Sequence, residues 1–509
     1  MNLTLCLDRR FAAGFNGLLI CLTIAANVTF AESVPNILFC ISDDQSYAHA
    51  GANGDRIVQT PAFDRIAREG IRFSHAFCDA PSCGPSRSAI LTGQHIWRLE
   101  EAGNIHSTLP KKFSTYTEIL RESGYFVGFT GKGWGPGRLA PGGRTGNPAG
   151  REFATFSRKP PIRGMSNKDY ARNFEEFLAN RPVDQPFCFW LGTHEPHRGY
   201  QKGAGVASGK DPRQVVVPPY LPDHDVVRND ILDYYVEIEH FDQMVGRALV
   251  LLEKNGEIDN TIVVVTSDHG MPFPRAKASL YDAGTRVPLA VRWPVGIKSP
   301  GRVYDGLVNL SDLAPTFLQA VGLKVPEMMT GQSLIDVMAT PRGQARTAAY
   351  IAMERHDGCR LGGKGYPCRA IRTPDYLYVV NHAPDRWPSG DPDASVCARG
   401  IPFGEVDSSP TKQLLMANAD DQAMRRFHEL AFAKRPGEEL YDLAKDPGQV
   451  VNLAAEPDYA DVRTRLAKEL QQHLVKTADP RAIGLEAAWD FYPYYGFRKN
   501  KNWKVDSKP

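Results

Sequence analysis

Short unbroken apolar runs recur along the first 340 residues, and between them apolar residues return at helical spacing. Asn36–Ser42 (NILFCIS) is the first run, and its continuous hydrophobicity predicts a strand covered on both faces. Thr60 and Pro61 then predict a helix start, with Thr60 as N-cap, Pro61 in the first position, and Phe63, Ile66 and Ala67 on one face. The pattern repeats. Tyr116–Ser123 reads as a helix stopped by Gly124 and followed by a strand at Tyr125–Phe129. Asp169–Leu178 reads as a helix before the strand Phe187–Leu191, and a long helix from about Asn229 to Lys254 precedes the strand Thr261–Thr266. Helices alternating with buried strands predict an α/β domain with a central, mostly parallel sheet flanked by helices.

After about Thr340 the texture changes. Ala348–Met353, Tyr376–Val380 and Glu439–Leu443 read as strands of a smaller sheet, and Asp461–Val475 as one amphipathic helix. The tail from Asp479 is aromatic and basic without periodicity. The expected organisation is a leader at residues 1–31, a catalytic domain at 32–340, and a C-terminal α+β subdomain with tail at 341–509. Arg9 and Arg10 ahead of the apolar stretch Leu18–Ala26 give the leader the form of a secretory signal, with cleavage after Ala26 or Ala31. Cys21 follows Ile20, where lipid attachment calls for a small residue. The mature chain is therefore expected to be exported, periplasmic or secreted, with no membrane span after cleavage.

Charge adds one exclusion. The chain holds 60 Lys+Arg against 58 Asp+Glu, a net charge of +2, so nothing global points to nucleic acid. Of the nine cysteines, Cys6 and Cys21 fall in the leader and seven remain, an odd number for an oxidising compartment. Cys359, Cys368 and Cys397 are close enough in sequence to supply a bridge, and Cys40 and Cys188 sit in apolar runs as small hydrophobes.

Two expected strand ends carry acidic residues. Asp43 and Asp44 follow the first strand; Ser267-Asp268-His269-Gly270 follows the Val263–Val265 run. Ligands of open α/β sheets sit beyond the carboxyl ends of strands, and three carboxylates with one imidazole gathered there would repel without a cation. Oxygen-rich ligation favours Ca²⁺, or Mg²⁺, over zinc. Either pair alone reads equally well as turn or capping residues.

Cys83-Gly84-Pro85-Ser86-Arg87-Ser88-Ala89-Ile90-Leu91-Thr92-Gly93 supplies the decisive motif. A cysteine just before Pro85, a helix-opening residue, with Arg87 one turn on, makes an anion-attracting helix start. The segment resembles the type I sulfatase signature, Cys-x-Pro-Ser-Arg followed by Leu-Thr-Gly, at every fixed position. The resemblance implies an alkaline-phosphatase-like α/β fold and oxidation of Cys83 to formylglycine by a maturation enzyme. It also implies a hydrated aldehyde that attacks sulfur through one hydroxyl and expels sulfate through the other. It further implies Asp43, Asp44, Asp268 and His269, with Cys83 itself, as metal ligands; the last position is usually Asn in the family, with His as a variant. Arg87 would hold the formylglycine hydroxyl, and Lys132 and Lys277 match the sulfate-clamping lysines. His197, in Thr193-His194-Glu195-Pro196-His197-Arg198, matches the histidine that protonates the leaving group. His194 and Arg198 beside it are candidate substrate contacts.

One departure stands out. Many sulfatases carry a histidine two places after the Lys132 position, and here Trp134 stands there, within Gly131-Lys132-Gly133-Trp134-Gly135-Pro136-Gly137. Trp134 cannot act as acid or base, and His106 is one candidate substitute. Subgroup motifs lean toward the sulfamidase (N-sulfoglucosamine sulfohydrolase) branch. His194-Glu195-Pro196-His197-Arg198 is similar to that group's His-Asp-Pro-His-Arg, and Gly270-Met271-Pro272-Phe273-Pro274 to its Gly-Ile-Pro-Phe-Pro. The expected activity is hydrolysis of sulfo groups from a sulfated carbohydrate, N-sulfoglucosamine first and an O-sulfated algal or host glycan second. Trp134, Trp190 and Trp387 are candidate stacking platforms for sugar rings. A phosphonate or phosphodiester hydrolase of the same superfamily is the alternative reading, and a silent glycan-binding relative the remote one.

Overall fold

The computed structural model describes residues 34–340 and 345–508; the expected leader lies outside the described residues. Nine strands form the central sheet: β1 (Asn36–Ser42), β2 (Ile71–Phe77), β3 (Phe126–Gly131), β4 (Arg151–Glu152), β5 (Phe187–Gly192), β6 (Thr261–Ser267), β7 (Arg286–Val287), β8 (Leu289–Arg292) and β9 (Arg302–Asn309). Their order is β4-β3-β5-β1-β6-β8-β2-β7, with β9 also pairing with β2. From β4 to β6 every neighbour is parallel. β8 then runs antiparallel to both β6 and β2, so the sheet is mixed. Within the parallel half, β3, β5, β1 and β6 carry the apolar runs, and β4 is an exposed Arg-Glu pair at the edge. Ile71–Phe77 (IRFSHAF) interrupts its apolar residues with polar ones, so it offered no comparable run.

β1 shows why its run is continuous. Ile37, Phe39 and Ile41 enter one core, which includes Tyr116 and Leu120 of helix Tyr116–Glu122 and Phe317. Leu38 and Cys40 enter the opposite core with Phe63 and Ile66 of helix Pro61–Glu69 and with Phe241 and Met244 of the long helix Asp225–Lys254. Successive side chains point to opposite faces, and both faces are covered. Cys188 of β5 is buried in the same manner.

The start of helix Pro61–Glu69 corrects one expectation. The Thr60 hydroxyl does not cap it; it accepts from the Gly51 N–H at 2.8 Å and bonds Asp64 at 3.1 Å. The free N–H groups of Ala62 and Phe63 instead reach Asp242 of the long helix, at 2.9 and 2.8 Å. A cap supplied from far along the chain leaves no local signal.

A second, four-stranded antiparallel sheet follows, in the order β10 (Ala349–Met353), β11 (Cys368–Arg372), β12 (Tyr376–Asn381), β13 (Glu438–Asp442). One face packs Ile351, Leu377 and Val379 against Phe77, Leu280 and Leu307 of the main body. The other packs Ile371, Tyr378 and Leu440 against Leu466, Leu470 and Leu474 of helix Ala460–Lys476. The tail then returns along this body. Asp479 pairs with Arg369 of β11 at 2.5 Å, Trp489 donates to the Glu100 carbonyl at 3.0 Å, and the Tyr494 hydroxyl reaches Asp357 at 2.5 Å. Among the described residues no helix is long and apolar enough to cross a membrane.

Candidate active site and metal centre

The site lies beyond the carboxyl ends of β1 and β6, where the start of helix Cys83–Thr92 meets them. The chain leaves β1 through Asp44 in the left-handed region (φ 76°), a turn that lets both aspartates converge. The helix begins at Cys83, two residues before Pro85, with Ser82 extended as its N-cap. Every residue of that helix is buried.

Ligand atoms of Asp43, Asp44, Cys83 and His269 all lie within 4.8 Å of one another. Cys83 Sγ stands 3.3 Å from His269 Nε2 and 3.5 Å from Asp43 Oδ1, and His269 Nε2 is 3.0 Å from Asp44 Oδ1. Asp268 sits at the edge of the group. Its Oδ1 accepts from the backbone N–H groups of Asp44 (3.1 Å) and His269 (2.9 Å), and its Oδ2 from Arg87 Nε (2.9 Å). Arg87 Nη1 donates to the carbonyls of Lys132 (2.6 Å) and Gly133 (3.1 Å), while Nη2 has no hydrogen-bond partner and lies 3.6 Å from Asp43 Oδ1.

Two lysines flank the aspartates. Lys132 Nζ meets Asp43 Oδ2 at 2.5 Å, and Lys277 Nζ meets Asp44 Oδ2 at 2.6 Å. Burial opposes ionisation of both carboxyls, yet Lys132 and Arg87 hold Asp43, and Lys277 and His269 hold Asp44, well below the usual carboxylate range. Burial likewise opposes a charge on His269, but Asp268 and Asp44 raise its affinity for a proton. The field at His269 Nε2 thus stabilises positive charge. Asp44 Oδ1 is buried there against His269 Nε2 at 3.0 Å. Two buried carboxylates and an imidazole gathered around a point favouring positive charge fit a divalent cation with oxygen-rich ligation.

Lys132 owes its place to a tight backbone. Gly131 has φ 76°, and a Cβ there would stand 2.0 Å from the Gly192 carbonyl oxygen, so only glycine fits. The Lys132 carbonyl also accepts from Trp190 Nε1 at 3.0 Å.

A cleft of about 680 Å³ opens over Asp43 and Lys132, lined also by Trp134, His194, Glu195, His197, Arg198 and Glu237. His197 faces the centre, with Nε2 4.0 Å from Asp44 Oδ2 and Nδ1 2.7 Å from the Arg198 carbonyl oxygen. His194 is exposed at the rim. The Arg198 guanidinium is committed to Asp230 by two bonds of 2.7 and 2.9 Å and lies over the rings of Tyr200 and Phe273. Trp134 lines the cleft but is nearly buried, its Nε1 donating to Ser88 Oγ at 2.8 Å. Trp190 is fully buried and so is closed to a sugar ring, and Trp387 packs against Phe403 away from the cleft lining. His106 packs edge-on to Tyr494 and bonds the Pro136 carbonyl through its backbone.

Sequence reasoning missed four residues. Asp407 Oδ2 lies 3.5 Å from Lys277 Nζ, and its carboxylate groups with Asp44 and His197. Arg399 reaches both Asp407 and Asp357 at 3.4 Å. Glu237, behind the cleft, has an unpartnered Oε1, and burial, then Glu195, pushes its carboxyl up to about 9. None of the four stands in a recognisable motif, and loops or a helix bring them in from far along the chain.

Known proteins resemble this chain in sequence and in fold. The sulfatase family model matches residues 35–323, and the model for the C-terminal region of N-sulphoglucosamine sulphohydrolase matches residues 272–387. An ulvan-active sulfatase of Formosa agariphila is 26% identical over 87% of this chain and 75% of its own length. N-sulphoglucosamine sulphohydrolase of Homo sapiens is 27% identical over 87% of this chain and 91% of its own. A solved complex with D-glucosamine-2-N,6-O-disulfate superposes with TM-score 0.62 at 21% identity, covering 87% of this chain and 98% of that one. The phosphonate monoester hydrolase of Agrobacterium radiobacter shares the fold at TM-score 0.59 and 19% identity, covering 87% and 96%. The chain belongs to the sulfatase family, near its N-sulphoglucosamine sulphohydrolase branch, and is a sulfuric ester hydrolase.

Proposed function

We propose that this chain is an exported hydrolase that removes sulfo groups from a sulfated carbohydrate, with N-sulfoglucosamine the first candidate and an O-sulfated polysaccharide the second. Residues 32–340 carry the chemistry in this reading, residues 341–509 complete one wall, and residues 1–31 direct export. The observation that carries the proposal is the convergence of Asp43, Asp44, Cys83 and His269 between Lys132 and the buried Lys277.

Asp43, Asp44 and His269, with Asp268 at the edge, would hold Ca²⁺ or Mg²⁺, which when bound neutralises sulfate oxygens and lowers the pKa of the nucleophile. Cys83 matured to formylglycine by a maturation enzyme would supply that nucleophile as a hydrated aldehyde. Everything else belongs to the chain's own side chains. Arg87 Nη2, one turn along the helix from Cys83 and 3.6 Å from Asp43 Oδ1, is a donor without a hydrogen-bond partner that would serve the group that position carries. Lys132 and Lys277 present fixed ammonium groups on two sides, so charge stabilisation needs no rearrangement. The Arg198 carbonyl engages His197 Nδ1–H and leaves Nε2 toward the centre, the atom from which a protonated His197 gives its proton to the leaving group. Arg198 therefore acts as a positioning residue through its backbone. Glu237, neutral at pH 7, offers an O–H donor at the back of the cleft.

The test is sulfate release, read by ion chromatography, from N-sulfoglucosamine and from O-sulfated glycans, with a phosphodiester alongside. Release from a sulfated sugar at a rate well above phosphodiester cleavage is expected. Faster phosphodiester cleavage would move the assignment to the phosphonate and phosphodiester hydrolases that share the fold.

A further inference from the structure

We infer that Cys359 and Cys397 are joined by a disulfide in the folded enzyme, a covalent tie that holds the C-terminal wall of the site. Their sulfurs lie 3.1 Å apart and both residues are fully buried. The surrounding backbone is already closed around them. The Ala398 N–H donates to the Gly358 carbonyl at 2.6 Å, and the Asp391 N–H to the Cys359 carbonyl at 2.8 Å. Gly404 forms the cradle, since a Cβ there would stand 2.4 Å from Cys359 Sγ and 2.7 Å from Cys397 Sγ. Roughly 1 Å of approach then gives a disulfide bond. Three cysteines were close enough in sequence to bridge, and the fold separates them: Cys368 lies on β11 with Sγ 3.7 Å from the Tyr366 carbonyl oxygen.

The sulfur–sulfur contact favours a thiolate on one member of the pair, while burial pushes Cys359 up. Either thiol can attack first, and both orders end in the same bond. In one order, with a small-molecule disulfide as oxidant, met while the chain folds, the Cys397 thiolate attacks one sulfur of that disulfide and expels one thiolate. Cys359, deprotonated, attacks the Cys397 sulfur of the mixed disulfide and expels the second thiolate. The two protons end on the released thiols, and two electrons reduce the oxidant's S–S bond.

The tie spans 38 positions along the chain. Asp357 and Arg399 lie just outside its two ends, and their ion pair links to Asp407 beside Lys277. Linking the ends fixes that wall against the buried floor. None of this depends on maturation of Cys83, so the two readings fail separately.

The experiment is a peptide map of protein from an exporting host, unfolded in iodoacetamide and digested with trypsin without reduction. The expected result is His356–Arg360 linked to Trp387–Arg399, with Gly365–Arg369 alkylated at Cys368. Alkyl groups on both Cys359 and Cys397, persisting after folding in the presence of oxidised glutathione, would overturn the proposal. Thermal unfolding gives a second readout. A phosphine reductant should lower the Tm of the natural chain by about 4 °C, from loop-closure entropy set against the unfolding entropy of a chain this size. It should leave the Cys359→Ser/Cys397→Ser chain unmoved, and an equal response in both chains would also overturn the tie.

Discussion

The floor of the site and its C-terminal wall use the same kinds of side chain on different supports. On the floor, Asp43, Asp44, Cys83, Arg87, Asp268 and His269 project from two strand ends and one helix, and none is more than 2% exposed. On the wall, Asp357, Arg399 and Asp407 project from loops, and although the two carboxylates are buried, the Arg399 side chain that joins them is 39% exposed. A charge held in a dry, rigid setting acts at full strength and is costly to leave unpaired, whereas a half-exposed pair is screened by water. The floor is therefore suited to stabilising charge that develops during reaction, and the wall to shaping what enters.

The sharpest way to break this contrast is Arg87→Lys. Lysine cannot span Asp268 and the two carbonyls that the guanidinium fork joins, so a buried carboxylate loses its partner. Urea unfolding should show a loss of about 3–5 kcal/mol. Lys277→Ala comes next: kcat for sulfate release should fall about 10²–10³-fold, as for removal of one preorganised donor. A fall of less than about tenfold would mean that Lys277 serves only to neutralise Asp44.

Glu237→Gln tests burial through pH. The folded carboxyl titrates near 9, above its ordinary value of 4.5, so the fold prefers the protonated form and loses stability as pH rises through that interval. Glutamine removes that loss. The variant should be more stable than the natural chain at pH 8, by about 1–3 kcal/mol, and closely matched at pH 5, as read from urea midpoints. The smallest effect belongs to the wall: Arg399→Gln should change stability by at most about 1 kcal/mol. A loss as large as that of Arg87→Lys would erase the distinction between the two regions.

The same contrast explains what was legible in the sequence. Asp43-Asp44, Cys83–Gly93 and Asp268-His269 are contiguous because strand ends and a helix start deliver neighbouring residues to one point, so their motifs are short and readable. β1, β3, β5 and β6 were legible for a related reason, since burial on both faces writes an unbroken apolar run. β2 and β8 were not, one alternating and the other only four residues long. Asp242 as a helix cap, Asp407 beside Lys277 and Tyr494 on Asp357 are long-range pairings that leave no spacing signal. Trp190 settles between two readings: of a candidate sugar platform and the favoured core position, it takes the second, fully buried with its N–H spent on the Lys132 carbonyl.

The central claim is that Cys83 is the nucleophile's precursor, and mass spectrometry of the tryptic peptide Phe73–Arg87 tests it most directly. The peptide also contains Cys78, a buried thiol hydrogen-bonded to the Gly284 carbonyl, as an internal control. For protein produced together with a maturation enzyme, the account predicts loss of sulfur and gain of an aldehyde oxygen at Cys83, with Cys78 intact. An unchanged thiol at Cys83, under conditions that mature another sulfatase, would contradict it.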